Sequence, residues 1–251
     1  MWRFASAVAT GTSHVRGSLP CQDRVACRAP RDNAIIIVVS DGAGSAPKGE
    51  VGAEIATTVF CESIEAQLNA GDSFHIEQAM HAAIADVIAA VRRRGKEDGF
   101  PSRDYAATLL AFVQDGDTAA AAQIGDGVIC LSDAADSWSW FEWPQRGEYA
   151  SSTYFLTDEG AAERFRVERL SPAPSAVIAM TDGLEPLALN YATRTVHHEF
   201  AVPLIKRLRE STATGEDHAL SASLATFLSL DRITSRVDDD LSIVLAYRQS
   251  D

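Results

Sequence analysis

Apolar residues in this chain gather into short runs of strand character, interrupted twice by long stretches of helical spacing. The run AIIIVVS from Ala34 to Ser40 is continuous and β-branched, which predicts a strand buried on both faces. Trp2–Ala9 and Arg24–Arg28 predict strands ahead of it. Val51, Ile55 and Val59 recur every four residues and predict a helix over Gly49–Leu68. A second helix, Phe74–Arg93, follows from Met80, Ala83, Ile84, Val87, Ile88 and Val91. The arginines at 92–94 suit its C-terminal end, where cations complement the helix dipole. Ala106–Gln114 and Thr118–Ile124 flank Asp115-Gly116 and predict a hairpin. Further strands are expected at Val128–Ser132, Ser137–Trp143, Ala176–Thr181 and Leu241–Tyr247, and helices at Glu199–Glu210 and Glu216–Leu230. Pro144–Pro174 follows neither period. It predicts irregular chain carrying a flap, about Tyr149–Leu170, that shapes substrate choice.

So many strands favour two packed sheets. The helices come in pairs rather than singly between strands, so a doubly wound parallel sheet fits poorly. The expected class is α+β: two mainly antiparallel sheets with helix pairs on their outer faces. No linker composition interrupts the 251 residues, so a single domain over 1–251 is expected.

Composition narrows the function classes. The chain is 46% hydrophobic and 23% charged, ordinary for a globular protein. Its net charge of −13 argues against an electrostatic grip on nucleic acid or an anionic membrane. The longest apolar run, about six residues, is far below the roughly 20 that span a bilayer. Cys21, Cys27, Cys61 and Cys130 show no zinc spacing and read as reduced thiols. The start MWRFASAVAT lacks the pattern of a secretion signal. A cytoplasmic monomer is the expectation.

The chemistry sits where strands end. Ile37-Val38-Val39-Ser40 runs into Asp41-Gly42, and Ala121-Ala122-Gln123-Ile124 into Gly125-Asp126-Gly127. Val177-Ile178-Ala179-Met180-Thr181 runs into Asp182-Gly183, and Asp238-Asp239-Asp240 precedes Leu241-Ser242-Ile243. Asp23 precedes a short strand and makes a fifth instance. Any one Asp-Gly is first of all a turn pair. Several in one chain matter because strands deliver side chains to fixed places. Two unit charges about 4 Å apart repel by roughly 4 kcal/mol at an effective dielectric near 20. A converging cluster would therefore raise its pKa values or hold cations. Oxygen-only ligands suit Mg²⁺ or Mn²⁺ rather than zinc. Two such ions about 3.5–4 Å apart can clamp a phosphoryl oxygen.

Six stretches carry a resemblance in their order: Gly17-Ser18-Leu19-Pro20-Cys21-Gln22-Asp23, Ser40-Asp41-Gly42-Ala43-Gly44, Ala106-Ala107-Thr108-Leu109-Leu110, Gln123-Ile124-Gly125-Asp126, Met180-Thr181-Asp182-Gly183-Leu184 and Asp239-Asp240-Leu241-Ser242-Ile243. Together they resemble the metal-dependent protein phosphatases (the PPM, or type 2C, family), in a divergent bacterial branch. The resemblance implies a four-layer α/β/β/α sandwich with a site for two Mn²⁺ or Mg²⁺ ions at one end. It implies that Asp41 bridges both ions, that the Gly42 carbonyl binds one, and that Asp182 and Asp239 hold the first. Asp23 would hold metal-bound water, and Asp126 with Asp182 would support a third, weaker ion. The implied reaction is one-step hydrolysis of phosphoserine or phosphothreonine by a metal-bridging hydroxide. The implied partners are phosphorylated proteins, among them a Ser/Thr kinase and its targets.

The chain departs from the family pattern at named positions. Gln22 stands where many members have an acid, which weakens the second ion or leaves it to water. Ala43 replaces a histidine that some members carry as a general acid. Pro186 stands where many have an aspartate near the third ion. The phosphate-binding arginine has no match in place; Arg16 is the nearest candidate and His14 beside it a weaker one. These departures leave open a catalytically weak or inactive relative that binds a phosphoprotein or regulates a kinase. A structural metal-binding domain is the third reading.

Overall fold

A computed structural model describes residues 1–70, 74–144 and 153–249. The chain begins with β1 (Trp2–Ala9), α1 (Thr12–Gly17), β2 (Arg24–Arg31), β3 (Ala34–Ser40), α2 (Gly49–Asn69) and α3 (Ile76–Asp98). There follow β4 (Leu109–Asp115), β5 (Thr118–Ile124), β6 (Val128–Ser132), β7 (Trp138–Trp140), α4 (Ala161–Arg164), β8 (Arg166–Leu170) and β9 (Ala176–Met180). The last part holds α5 (Glu185–Ala188), β10 (Leu189–Asn190), β11 (Thr195–Val196), α6 (His198–Glu210), β12 (Gly215–Glu216), α7 (His218–Leu228), α8 (Asp231–Thr234) and β13 (Leu241–Arg248).

One sheet runs β2-β3-β4-β5-β8 and the other β12-β1-β13-β9-β6-β7, while β10 and β11 pair on their own. All pairings in the two large sheets are antiparallel except β1 with β12. The alternation of side chains sorts the core. Ile35, Ile37 and Val39 of β3 pack with Leu110 and Phe112 of β4, and with Val177, Ala179, Val244 and Ala246 of the other sheet. Ala34, Ile36 and Val38 point the opposite way, onto Ala53, Phe60, Ile64, Met80, Ile84 and Val87 of α2 and α3. On the far side, Ile178, Met180, Ile243 and Leu245 pack on Ala201, Ile205, Leu224 and Leu228 of α6 and α7. The order is helices, sheet, sheet, helices. Each isoleucine of β3 is fully buried and contributes about 1.5–3 kcal/mol. The continuous apolar run is thus explained: both faces of this strand are covered.

Several expected boundaries are corrected. The stretch predicted as irregular, Pro144–Pro174, contains α4 and the edge strand β8, which pairs with β5 from Ala119↔Leu170 to Gln123↔Arg166. Its pattern RVERL is only half-buried, so it lacks the apolar signal of the inner strands. The flap expected at Tyr149–Leu170 lies outside the described residues as far as 152; beyond that it includes these two elements. The helix expected to stop at Arg93 runs on to Asp98 and ends at Gly99, whose φ of 76° supplies the left-handed cap. The helix expected from Glu216 starts at His218. Asp217 caps it by accepting from Leu220 N at 2.9 Å, and Glu216 belongs to β12. The strand expected at Ser137–Trp143 shortens to Trp138–Trp140. The one expected from Ala106 starts at Leu109, because residues 106–108 are bonded to the turn after β3.

Candidate functional site

Register decides where the aspartates go. Arg24 pairs with Ser40, so Asp23 and Asp41 leave β2 and β3 at one end. Met180 pairs with Val128 on one side and Ile243 on the other, so Asp126, Asp182 and Asp239 also lie at the shared end of their strands. The two sheets are tied there. Thr181 Oγ1 donates to Asp23 Oδ2 at 2.7 Å, and the Ser242 backbone N–H donates to the same Thr181 oxygen at 3.1 Å. Gly42 N donates to the Gln22 carbonyl at 3.2 Å, and Gln22 N donates to Asp240 Oδ2 at 2.6 Å.

The turn holding Asp41 is pinned on both sides of its peptide. Asp41 N donates to Thr108 Oγ1 at 2.9 Å, and Thr108 N donates to the Asp41 carbonyl at 2.8 Å. Glycine after aspartate is required by close approach. A methyl at Gly42 would fall well inside van der Waals contact with the Gly49 backbone at the start of α2. One at Gly183 would do the same to the Asp240 carbonyl. Gln123 Nε2 donates to the Gly127 carbonyl at 2.9 Å and steadies the turn that carries Asp126.

The electrostatics are those of crowded acids. Asp41 is pushed well above the usual carboxylate range, first by burial and then by Asp23, Asp182, Asp239 and Asp126. Asp182 is raised to about 8 by burial, Asp126, Asp239, Asp23 and Glu185. Asp23 is raised to about 7 by burial and by Asp240 and Asp239, against the lowering hydrogen bonds from Thr181 and Ser242. Among the described residues, no lysine or arginine forms an ion pair with Asp23, Asp41, Asp182 or Asp239. Nor, among the described residues, do three acidic, histidine or cysteine side chains close onto one point as a finished ligand set. The acids are near enough for Asp23, Asp182, Asp239 and Asp126 to raise Asp41. Their donors are all hard oxygens, and the buried Gln22 Oε1 beside them has no hydrogen-bond partner. That donor set fits divalent cations of the Mg²⁺ or Mn²⁺ kind.

Not every expected site residue joins this group. Arg16 is exposed on α1, and its Nε donates back to Thr12 O of the same helix at 3.0 Å. His14, on the same helix, is buried and its Nδ1 lies 2.8 Å from Asp240 Oδ2. Pro186 is exposed, whereas Glu185 beside it is buried and adds to the field at Asp182. Sequence reasoning assigned no role to Thr108, Gln123, Thr181, Ser242, Asp240 or Glu185. The available signal was a buried polar residue at the end of an apolar strand, where it needs a partner.

A paired-sheet sandwich with crowded carboxylates at one end defines a class of acid-lined, cation-seeking sites, and comparison with known proteins narrows it. The family model described as protein phosphatase 2C matches residues 10–229. Serine/threonine-protein phosphatase 3 of Escherichia coli (strain K12) is 31% identical over 254 residues, covering 98% of each chain. Among solved structures, the Mycobacterium tuberculosis serine/threonine phosphatase PstP/Ppp matches with a TM-score of 0.67 at 15% identity, over 99% of both chains. The catalytic domain of a serine/threonine phosphatase PstP, in complex with 2 manganese ions, matches with a TM-score of 0.63 at 14% identity. That match covers 98% of this chain and 97% of the other. The chain belongs to the protein phosphatase 2C family and is a phosphoprotein phosphatase of the serine/threonine class.

Proposed function

We propose that this chain hydrolyses phosphoserine and phosphothreonine in protein substrates with a pair of Mn²⁺ or Mg²⁺ ions. The observation that carries the reading is the raising of Asp41 by Asp23, Asp182, Asp239 and Asp126, and of Asp182 by Asp126, Asp239 and Asp23, acids from five different strand ends. Asp41 would be shared by both ions, joined by the Gly42 carbonyl on one side and by Asp182 and Asp239 on the other. Asp126 with Asp182 and the nearby Glu185 would take a third, weaker ion. When bound, the ions supply a hydroxide nucleophile at neutral pH and positive charge for the phosphoryl oxygens. Thr108 holds Asp41 in place through both sides of its peptide. Thr181 fixes the Asp23 carboxylate by donating to its Oδ2, and Asp23 would hold metal-bound water by a hydrogen bond. Arg16 would reach the substrate phosphate by releasing the Thr12 carbonyl, to which its guanidinium bonds within its own helix.

No described helix is long and apolar enough to cross a membrane. We take the enzyme to act as a cytoplasmic monomer on phosphoproteins, opposing a Ser/Thr kinase. The test is turnover of an aryl phosphate and of a phosphothreonine peptide, with Mn²⁺ and after chelation, beside Asp41→Asn. Turnover that requires Mn²⁺ and disappears in Asp41→Asn is expected. Cation-independent turnover would overturn the reading.

A further inference from the structure

We infer that His14 is a positioning residue for the acidic site: through the Asp240 carboxylate it locks α1 onto the start of β13 and fixes where Asp239 and Asp23 stand. This rests on the two-cation reading above, in which Asp239 is a ligand, and gives His14 a task other than contact with phosphate.

The contacts converge on one buried side chain. Asp240 is 2% exposed, and groups far along the chain reach its carboxylate. Gly11 N donates to Oδ1 at 2.7 Å and Gln22 N to Oδ2 at 2.6 Å, while His14 Nδ1 lies 2.8 Å from the same Oδ2. Against a carboxylate, Nδ1 is the donor in the neutral and the protonated ring alike. Asp240 N in turn donates to Asp239 Oδ1 at 2.8 Å, so the ligand carboxylate is tied to the residue that His14 grips. Gln22 immediately precedes Asp23, so the same carboxylate also anchors the entry to β2.

Two more contacts press this turn onto the acidic run. Ser13 N donates to the Asp238 carbonyl at 2.9 Å, and a methyl at Gly11 would collide with the Asp239 carbonyl. α1 has six residues and no side-chain cap bond, too little to hold itself in place. Of the three donors to Asp240, His14 is the side chain; the other two are backbone groups that most residues would present. Taking one partner from a buried carboxylate leaves its charge unmatched. Without His14, Oδ2 keeps Gln22 N alone, and Asp239 loses a fixed neighbour. Groups that orient metal ligands without touching the metal change affinity by about 10–100-fold when removed.

The test is Mn²⁺ binding by the full chain, read by calorimetry and by the EPR signal of free Mn²⁺, for wild type, His14→Asn, His14→Leu and Asp239→Asn. Asp239→Asn marks the step that needs Asp239. His14→Leu should weaken that step by at least about tenfold, whereas His14→Asn, whose amide can donate from the place of Nδ1, should stay within about threefold of wild type. With Mn²⁺ raised to saturation, KM for an aryl phosphate in His14→Leu should stay within about threefold of wild type, and kcat should recover. A lower Tm in His14→Leu with Mn²⁺ binding unchanged would overturn the inference and leave the two-cation reading standing. So would a raised KM with Mn²⁺ binding unchanged, which would make His14 a phosphate contact. Weakening in His14→Asn as large as in His14→Leu would overturn it too, since the donor to Asp240 would then not be what matters. Absence of Mn²⁺ binding in wild type would remove both the reading and the inference. Should His14→Leu fail to fold, His14→Gln, whose amide sits one bond beyond the place of Nδ1, decides against His14→Asn.

Discussion

The same dipeptide, Asp-Gly, closes strands at both ends of the sandwich and does different work at each. At one end Asp115-Gly116 joins β4 to β5. Gly116 has φ +60°, the left-handed turn position, and a Cβ there would meet only the Asn33 amide at an ordinary 3.7 Å. Asp115 meets Arg31 at 3.4 Å, and nearby Asp117 meets Arg248 at 3.0 Å. Charges there are partly exposed and paired with opposites. At the other end Asp41-Gly42 and Asp182-Gly183 need no positive φ. Their glycines are demanded by neighbouring backbone, and their aspartates face other aspartates. A turn uses the glycine for its conformation. The acidic end uses it for clearance and sets its acids against one another.

The sharpest way to break this contrast is to neutralise one carboxylate at each end. Asp41→Asn should lower kcat/KM by at least about a thousandfold, since it removes the acid placed centrally among the others. Asp115→Asn, equally close to a glycine, should change kcat/KM by less than about twofold, because its partner Arg31 is a surface cation. Comparable losses in the two variants, measured on an aryl phosphate with Mn²⁺, would erase the distinction between the ends.

The glycines give the next largest effect. Gly183→Ala forces a methyl into the Asp240 carbonyl, and the Asp182 turn must shift. A destabilisation of about 1–3 kcal/mol is expected by urea unfolding, with loss of most activity. Gly116→Ala meets only the Asn33 amide at ordinary contact distance and suffers mainly from its left-handed backbone, about 1–2 kcal/mol. Its activity with Mn²⁺ should survive. The pair thus separates clearance from conformation: similar stability costs with opposite catalytic outcomes.

How far the sequence could be read follows the same division. Strands such as β3 and β9 were legible because their burial on both faces writes an unbroken apolar run. β8 was not, since its edge position leaves it half-exposed and charged, and α1, TSHVRG, is too short to show a period. The end of α3 was misread at 92–94, although Gly99 carried the usual stop signal. The helix passes through Gly95, where a side chain would press on the Phe100 carbonyl. At the site, the aspartates were visible as acids at strand ends. The bonds that orient them were not. Thr181 reaches Asp23 across 158 positions, and no local pattern encodes a hydrogen bond of that separation. The resemblance to a phosphatase family supplied the order of the pieces, but not the pinning of Gln22 between Asp240 and Gly42.

Smaller is the dependence of stability on pH. Asp23 and Asp182 titrate near 7 and 8 in the folded chain, against 3.8 for an ordinary aspartate. Between roughly pH 4 and 8 the folded state therefore holds more protons than the unfolded one, and stability falls as pH rises. After chelation, Tm should drop by at least about 4 °C from pH 5 to pH 8.5. Added Mn²⁺ should restore it at the upper pH, because a bound ion favours the ionised acids. Asp182→Asn should flatten the slope, while Asp115→Asn should leave it unchanged. A Tm rising with pH in the cation-free protein would contradict the crowding on which the comparison rests.

The smallest effect belongs to the far end, and its smallness is the point. Arg248 donates through both terminal nitrogens to Asp117 Oδ1, each at 3.0 Å, and so joins β13 to the β4–β5 hairpin across the two sheets. The Asp117 side chain is 94% exposed, so water competes for both partners and salt screens them. Asp117→Asn should move Tm by less than about 2 °C, and less still in 0.5 M salt, with no change in Mn²⁺-dependent turnover. What keeps the sheets together at that end is Trp2, Phe4, Phe112 and their neighbours in the shared core, which the substitution leaves intact. A large loss of stability in Asp117→Asn would mean that this pair bears weight its exposure denies it. The two ends would then differ in the sign of their charges alone, and no longer in how tightly those charges are held.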